Sequence, residues 1–136
     1  MQFALAFPGQ YRIHPYLAIA NKELLETYAD DVRQGITLTV PGFYAPQGRV
    51  LRAKRRLPGL MPLIQNFNAV GKKISNLEME TAGIYGLAAC LGHRAISFNV
   101  ILANRVTNSF SKNPDKAMNN FIQVILSMIC NPNKSY

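Results

Sequence analysis

The chain has 136 residues, 49% of them hydrophobic and 16% charged, a balance that fits one globular core and excludes disorder, collagen and coiled coil. Its apolar runs, Ala95 to Ala103 and Phe121 to Cys130, fall short of the ~20 residues of a membrane helix and carry polar interruptions, so no membrane span is expected. Fifteen Lys and Arg against seven Asp and Glu leave a formal charge of +8, which admits nucleic acid, an acidic surface or a small anionic substrate as partner.

The first residues, Met1 to Phe7, are apolar but lack a basic stretch and a small-residue cleavage site, so no secretory signal is expected. From Phe3 to Pro15 a short strand leads into a loop broken by Pro8, Gly9 and Pro15. Leu24, Leu25, Tyr28, Ala29 and Val32 then recur at helical spacing behind the capping residue Asn21, with Glu23, Glu26, Asp30 and Asp31 on the same segment and Gly35 as its stop. Ile36, Leu38 and Val40 alternate with Thr37 and Thr39, which predicts a half-buried strand ended by Pro41 and Gly42. A loop with a basic tail, Arg52, Lys54, Arg55 and Arg56, precedes a helix expected over Pro58 to Ala69.

After Gly71, Lys72 and Lys73 a short strand is expected around Ile74. A helix from Met79 to Leu91 follows, with Ile84, Leu87, Ala88 and Leu91 on one face and Gly92 as its stop. The nearly continuous apolar run Ala95 to Ala103 predicts a strand covered on both faces. Asn104 to Asn113 reads as a polar loop, and Pro114 as the first residue of a last helix carrying Met118, Phe121, Ile122, Ile125 and Met128. Strands alternating with helices imply an α/β layer structure. Cys90 and Cys130, both in apolar surroundings, are expected to be buried thiols in a reducing cytoplasm. His14 and His93 lack partners at metal-ligand spacing and are expected to be structural.

Three stretches could carry chemistry. Between Val32 and Pro114 eleven basic residues face only two carboxylates, Glu78 and Glu80. They stand at a strand-to-helix junction, where α/β folds bind ligands and a carboxylate can accept both hydroxyls of a cis-diol; the same acid would also suit the first turn of a helix by its dipole alone. The loop Pro41 to Arg49 offers a flat face at Phe43, a paired donor and acceptor at Gln47 and a planar fork at Arg49. Those groups would stack an amide-like heterocycle and read its edge, or belong to an ordinary turn with an exposed Gln and Arg. Asn104 and Arg105 close the long apolar run, facing a pocket or solvent. No glycine-rich phosphate loop of either common kind and no nucleophile elbow is present.

The segment Ile74-Ser-Asn-Leu-Glu-Met-Glu-Thr-Ala-Gly-Ile-Tyr-Gly-Leu-Ala, followed by Leu91-Gly-His-Arg-Ala, and the loop Phe43-Tyr-x-x-Gln47-x-Arg49 together resemble the nucleoside phosphorylase superfamily, in its uridine phosphorylase branch. The resemblance implies a pentosyltransferase that cleaves a nucleoside with phosphate to ribose 1-phosphate and free base, in nucleoside catabolism and pyrimidine salvage. It implies a three-layer α/β fold with a mixed central sheet flanked by helices. The substrates would be uridine or a related pyrimidine nucleoside with phosphate as co-substrate, and there would be no metal or other cofactor. By position, Glu80 would bind the ribose hydroxyls, Met79 would pack on the sugar and Glu78 would support them. Gln47 and Arg49 would hydrogen-bond the uracil edge, with Phe43 lining the base pocket and Arg49 and Glu80 in catalytic roles. Asn104, where purine-selective relatives place an aspartate, and the adjacent Arg105 would complete the base site and imply pyrimidine preference.

Family members are about twice this length as one domain, so residues 1–136 resemble the C-terminal half of such a domain. The half that holds phosphate, and the side chains a neighbouring subunit lends, would be absent. Members form dimers and trimers of dimers, so a homo-oligomer is implied for the complete protein. The half chain is expected to expose strand edges and apolar surface and to associate. Two other readings stay open: a catalytically silent nucleoside-binding module, and a phosphorylase acting on another nucleoside. A nucleic-acid binder built on the run Arg49 to Arg56 is disfavoured, since that run has no interleaved aromatics beyond Phe43 and Tyr44.

Overall fold

The computed structural model describes residues 15–131 apart from 30, 31, 53, 55, 56 and 70. The strand expected from Phe3, along with His14, Asp30, Asp31, Arg55 and Arg56, lies outside the described residues. The described chain is a mixed α/β structure in two compact units, one built on Gly35–Gly92 and the other on Ala20–Gln34 with the chain from His93 onward.

In the first unit β1 (Ile36–Thr39) and β2 (Ile74–Glu78) pair in parallel, joined by a crossover that contains α2 (Leu60–Asn66). A parallel pair needs such a crossover, because a tight turn can join only antiparallel neighbours. The register runs Ile36 to Ile74 and then Thr37 to Asn76, Leu38 to Leu77 and Thr39 to Glu78, which leaves Ser75 as an extra residue on β2. Gly35 sits against this bulge, where a Cβ would collide with the Ser75 side chain. The alternation read in the sequence is realised across the ladder. Leu38, Ile74 and Leu77 pack on Leu60 and Ile64 of α2, which are 3% and 6% exposed. Burial of side chains of this size contributes about 1.5–3 kcal/mol each. Thr37 and Thr39 pair instead with the polar side chains of Asn76 and Glu78. The next helix, α3 (Thr81–Cys90), begins on this polar side, its Ala82 amide donating to the Thr39 hydroxyl. Helices thus flank the strand pair on both faces.

In the second unit Asn21 caps α1 (Lys22–Tyr28), accepting the Leu24 N–H at 3.1 Å, as its place in the sequence predicts. The helix ends at Tyr28, earlier than a stop at Gly35 implies. The Asn21 N–H donates to Ala95 O at 2.9 Å, and Arg94 pairs with Glu23. That pair is solvent-exposed and adds little stability. Two short antiparallel strands, β3 (Ala103–Asn104) and β4 (Ser109–Phe110), form a hairpin where a loop was expected. The last helix, α4 (Pro114–Cys130), starts with Pro114 as anticipated, behind Asn113, which accepts the Lys116 N–H at 3.1 Å.

Several expectations are corrected here. Residues 95–102 form no strand: a strand buried on both faces needs neighbours on its hydrogen-bonding edges, and no described strand pairs with them. Cys90 and Cys130 are exposed free thiols, because each closes its helix on a face that nothing described covers. The helices expected over Pro58 to Ala69 and from Met79 are shorter, beginning at Leu60 and Thr81. On α4, Met128 is buried and Phe121 and Ile125 are half-buried, while Met118 and Ile122 are exposed. Among the described residues no helix is long and apolar enough to cross a membrane.

Candidate functional site

Both chemistry-bearing segments of the first unit leave the sheet at the carboxyl ends of its two strands. The Val40 N–H, one residue past β1, donates to Glu78 O at 2.9 Å. The loop Pro41 to Arg49 and the turn Met79–Glu80 therefore start side by side, where open parallel sheets present their ligand sites.

The first segment folds into a single 3-10 turn, Ala45–Gln47, with Pro46 as its second residue and closed by Gly48 in the left-handed region at φ 77°. A Cβ on Gly48 would stand 3.0 Å from Cγ and 3.2 Å from Sδ of Met61 on α2. Gly48→Ala would thus meet both an unfavourable φ and a packed neighbour, and is expected to cost about 1–2 kcal/mol. A urea melt checks this, and a midpoint at the wild-type value would show that the loop is not held against α2.

The tight turn buries Gln47, which is 5% exposed. Arg49 is half-buried and donates from Nη1 to Gln47 Oε1 at 2.8 Å and to the Phe43 carbonyl, while its guanidinium carbon lies 3.4 Å from the Phe43 ring centroid. Phe43 meets Tyr44 edge-on, with centroids 5.3 Å apart. Gln47 is thus buried and Arg49 half-buried, not exposed as in the ordinary turn that the sequence also allows. Gln47, Arg49 and Phe43 are one hydrogen-bonded and stacked cluster, with Arg49 over a face of the ring. A planar, hydrogen-bonding heterocycle would meet a guanidinium edge and a carboxamide held in fixed relation.

In the second segment Glu80 is the residue before α3 rather than part of its first turn. The reason is Glu78. Its Oε2 accepts the N–H groups of Glu80 at 2.8 Å and Thr81 at 2.6 Å, and its Oε1 accepts the Thr39 hydroxyl. A carboxylate from the strand end thus caps the helix and leaves Met79 and Glu80 as an exposed turn. Glu80 Oε2 accepts the Met79 N–H at 3.1 Å, so the carboxylate lies over the turn. Partial burial pushes the Glu78 carboxyl up, but the donors from Thr39, Thr81 and Glu80 outweigh it and hold the group below its ordinary value of 4.5. A carboxyl depressed in the folded state adds stability above its unfolded value and loses it as the pH falls through the lower folded value. Helix signal by circular dichroism is therefore expected to fall as the pH drops below the ordinary carboxylate value and through the lower folded one. The transition should flatten in Glu78→Gln, and an identical acid transition in that variant would remove Glu78 as its cause.

Thr39 is the site residue that sequence reasoning passed over, read only as the polar member of an alternating strand. Its position at the last register pair before the loop was the available signal. Asn104 and Arg105 belong to the second unit, in the β3–β4 hairpin. There Asn104 Oδ1 accepts the N–H groups of Val106 at 2.9 Å and Thr107 at 3.2 Å, closing the turn, and Arg105 is half-buried. Among the described residues no group of three or more His, Cys, Asp or Glu is arranged to hold a metal ion.

A strand–helix–strand unit with polar side chains gathered at the carboxyl ends of its strands is the arrangement in which open α/β sheets present ligand sites. The chain belongs to the phosphorylase superfamily, whose family model matches residues 2–129. It is similar to a uridine phosphorylase of Thermococcus kodakarensis, 39% identical over 106 residues that make up 74% of this chain and 35% of the relative. It is also similar to a purine nucleoside phosphorylase of DeoD type 2 from Vibrio cholerae serotype O1, 28% identical over 127 residues, 87% of this chain and 48% of the relative. The chain thus spans about a third and about half of the length of these two curated relatives. No solved structure matches it.

Proposed function

We propose that the chain carries the nucleoside-recognising part of a uridine phosphorylase-like site. The observation that supports this best is the juxtaposition of the Phe43, Gln47 and Arg49 cluster with the Met79–Glu80 turn through the Val40 to Glu78 bond. In this reading Glu80 accepts hydrogen bonds from the ribose hydroxyls, Met79 packs on the sugar, Arg49 donates to the uracil edge, and Gln47 donates to it and accepts from it. Phosphate attacks the anomeric carbon, the bond from that carbon to the base nitrogen breaks, and its electron pair leaves with uracil. Donors aimed at the uracil oxygens stabilise charge that grows as the bond opens, so Arg49 lowers the barrier as well as binding. The reading goes with a location in the reducing cytoplasm and with a homo-oligomer.

Uracil release from uridine, with and without phosphate, is the test. Release that depends on phosphate supports the reading. Uridine binding without release would favour a nucleoside-binding module, and preference for a purine nucleoside would replace uridine as substrate. A chain that neither binds nor cleaves any nucleoside would overturn the proposal.

A further inference from the structure

The helix α3 is capped from outside itself. Glu80, the residue at its N-cap position, makes no side-chain cap bond. Instead two strand ends deliver the acceptors, the Glu78 carboxylate for the Glu80 and Thr81 amides and the Thr39 hydroxyl for the Ala82 amide at 3.0 Å. Thr39 also donates its single proton to Glu78 Oε1, so one hydroxyl fixes the carboxylate and the helix start together. Threonine suits this place because its branched β-carbon leaves few rotamers, and the strand backbone holds them.

We propose that Thr39 is a positioning residue: through Glu78 it sets the backbone of Met79 and Glu80, and so the direction in which the Glu80 carboxylate is presented. The link to sugar binding rests on the function proposed above; the link from Thr39 to the turn rests on the hydrogen bonds alone. Removing the hydroxyl would take one donor from the Glu78 carboxylate, to which the Thr81 side chain also donates, and would take the Thr39 acceptor from the Ala82 amide. The turn could then take several conformations, and a ligand would have to select one of them.

The experiment compares the full chain with Thr39→Val, which keeps shape and strand preference, and Thr39→Ser, which keeps the hydroxyl. Amide hydrogen exchange at Glu80, Thr81 and Ala82, the titration of the Glu78 carboxyl by NMR, and affinities for uridine and for uracil are read in all three. In Thr39→Val we expect exchange at these amides to quicken about tenfold, the Glu78 titration to move to higher pH, and uridine to bind about tenfold more weakly while uracil is unaffected. Thr39→Ser should restore all three. A purely structural role would weaken uridine and uracil alike and leave the Glu78 titration in place, which would overturn the proposal. So would unchanged exchange in Thr39→Val. If the wild-type chain binds no uridine the function reading fails instead, and exchange with titration still decides for or against Thr39.

Discussion

Arg49→Ala is expected to weaken uracil binding about 10–100-fold and to slow phosphate-dependent uracil release about 10²–10³-fold. Three roles meet in this side chain. It holds the Gln47 carboxamide oxygen, it bonds the Phe43 carbonyl, and it lies over the Phe43 ring. Its loss would leave the buried Gln47 without that donor and free the loop between Gly42 and Gly48. Arg49→Lys should recover little, because an ammonium is a point charge that can neither fork onto a planar edge nor stack as a guanidinium does. The larger penalty on release than on binding is the diagnostic part, since charge accumulates on the base only as the glycosidic bond opens. Isothermal titration with uracil beside the release assay separates the two. Equal losses in binding and release would reduce Arg49 to a binding residue, and no loss in either would remove it from the site.

The second large effect concerns association. Helix α3 carries no charged residue from Thr81 to Cys90, a composition suited to a helix covered all round. Yet Ile84, Leu87 and Leu91 are 54%, 63% and 60% exposed. On α4 the large apolar side chains Ile122, Val124, Leu126 and Ile129 are exposed as well. Apolar surface of this extent drives association, and the charge of +8 opposes it at low salt. Screening shortens that repulsion to about 8 Å at physiological ionic strength. The chain is therefore expected to sediment above its monomer mass at tens of micromolar, more so as salt is raised. Leu87→Lys should shift it toward monomer. A chain that stays monomeric in high salt and melts sharply would contradict this.

Local signals were legible where one or two residues decide the outcome. Asn21 and Asn113 cap their helices, Pro114 opens α4, and the alternation from Ile36 to Thr39 became a strand with its apolar side chains on α2. The loop and turn of the candidate site were marked in the sequence by their place just after two expected strands, and Glu80 by standing with Glu78 as the two carboxylates of a basic stretch. What failed depends on partners distant in the chain. The run from Ala95 to Ala103 has the composition of a central strand but no described neighbour to pair with. The apolar settings of Cys90 and Cys130 predicted burial that no facing surface supplies. Thr39 stayed unseen because its two partners, Glu78 and Ala82, lie 39 and 43 positions away.

That same separation couples recognition to folding. The two halves of the candidate site are carried by arms of one crossover and meet only after the chain between them has closed, at an entropic cost that grows with the logarithm of its length. A nucleoside gripping base and sugar at once would act as a reversible cross-link across that closure. Its binding energy would appear as folding energy, rising with ligand concentration, and a compound that touches only one arm would leave the closure unsupported. Uridine should accordingly raise the melting temperature more than uracil and ribose supplied together at the same concentration.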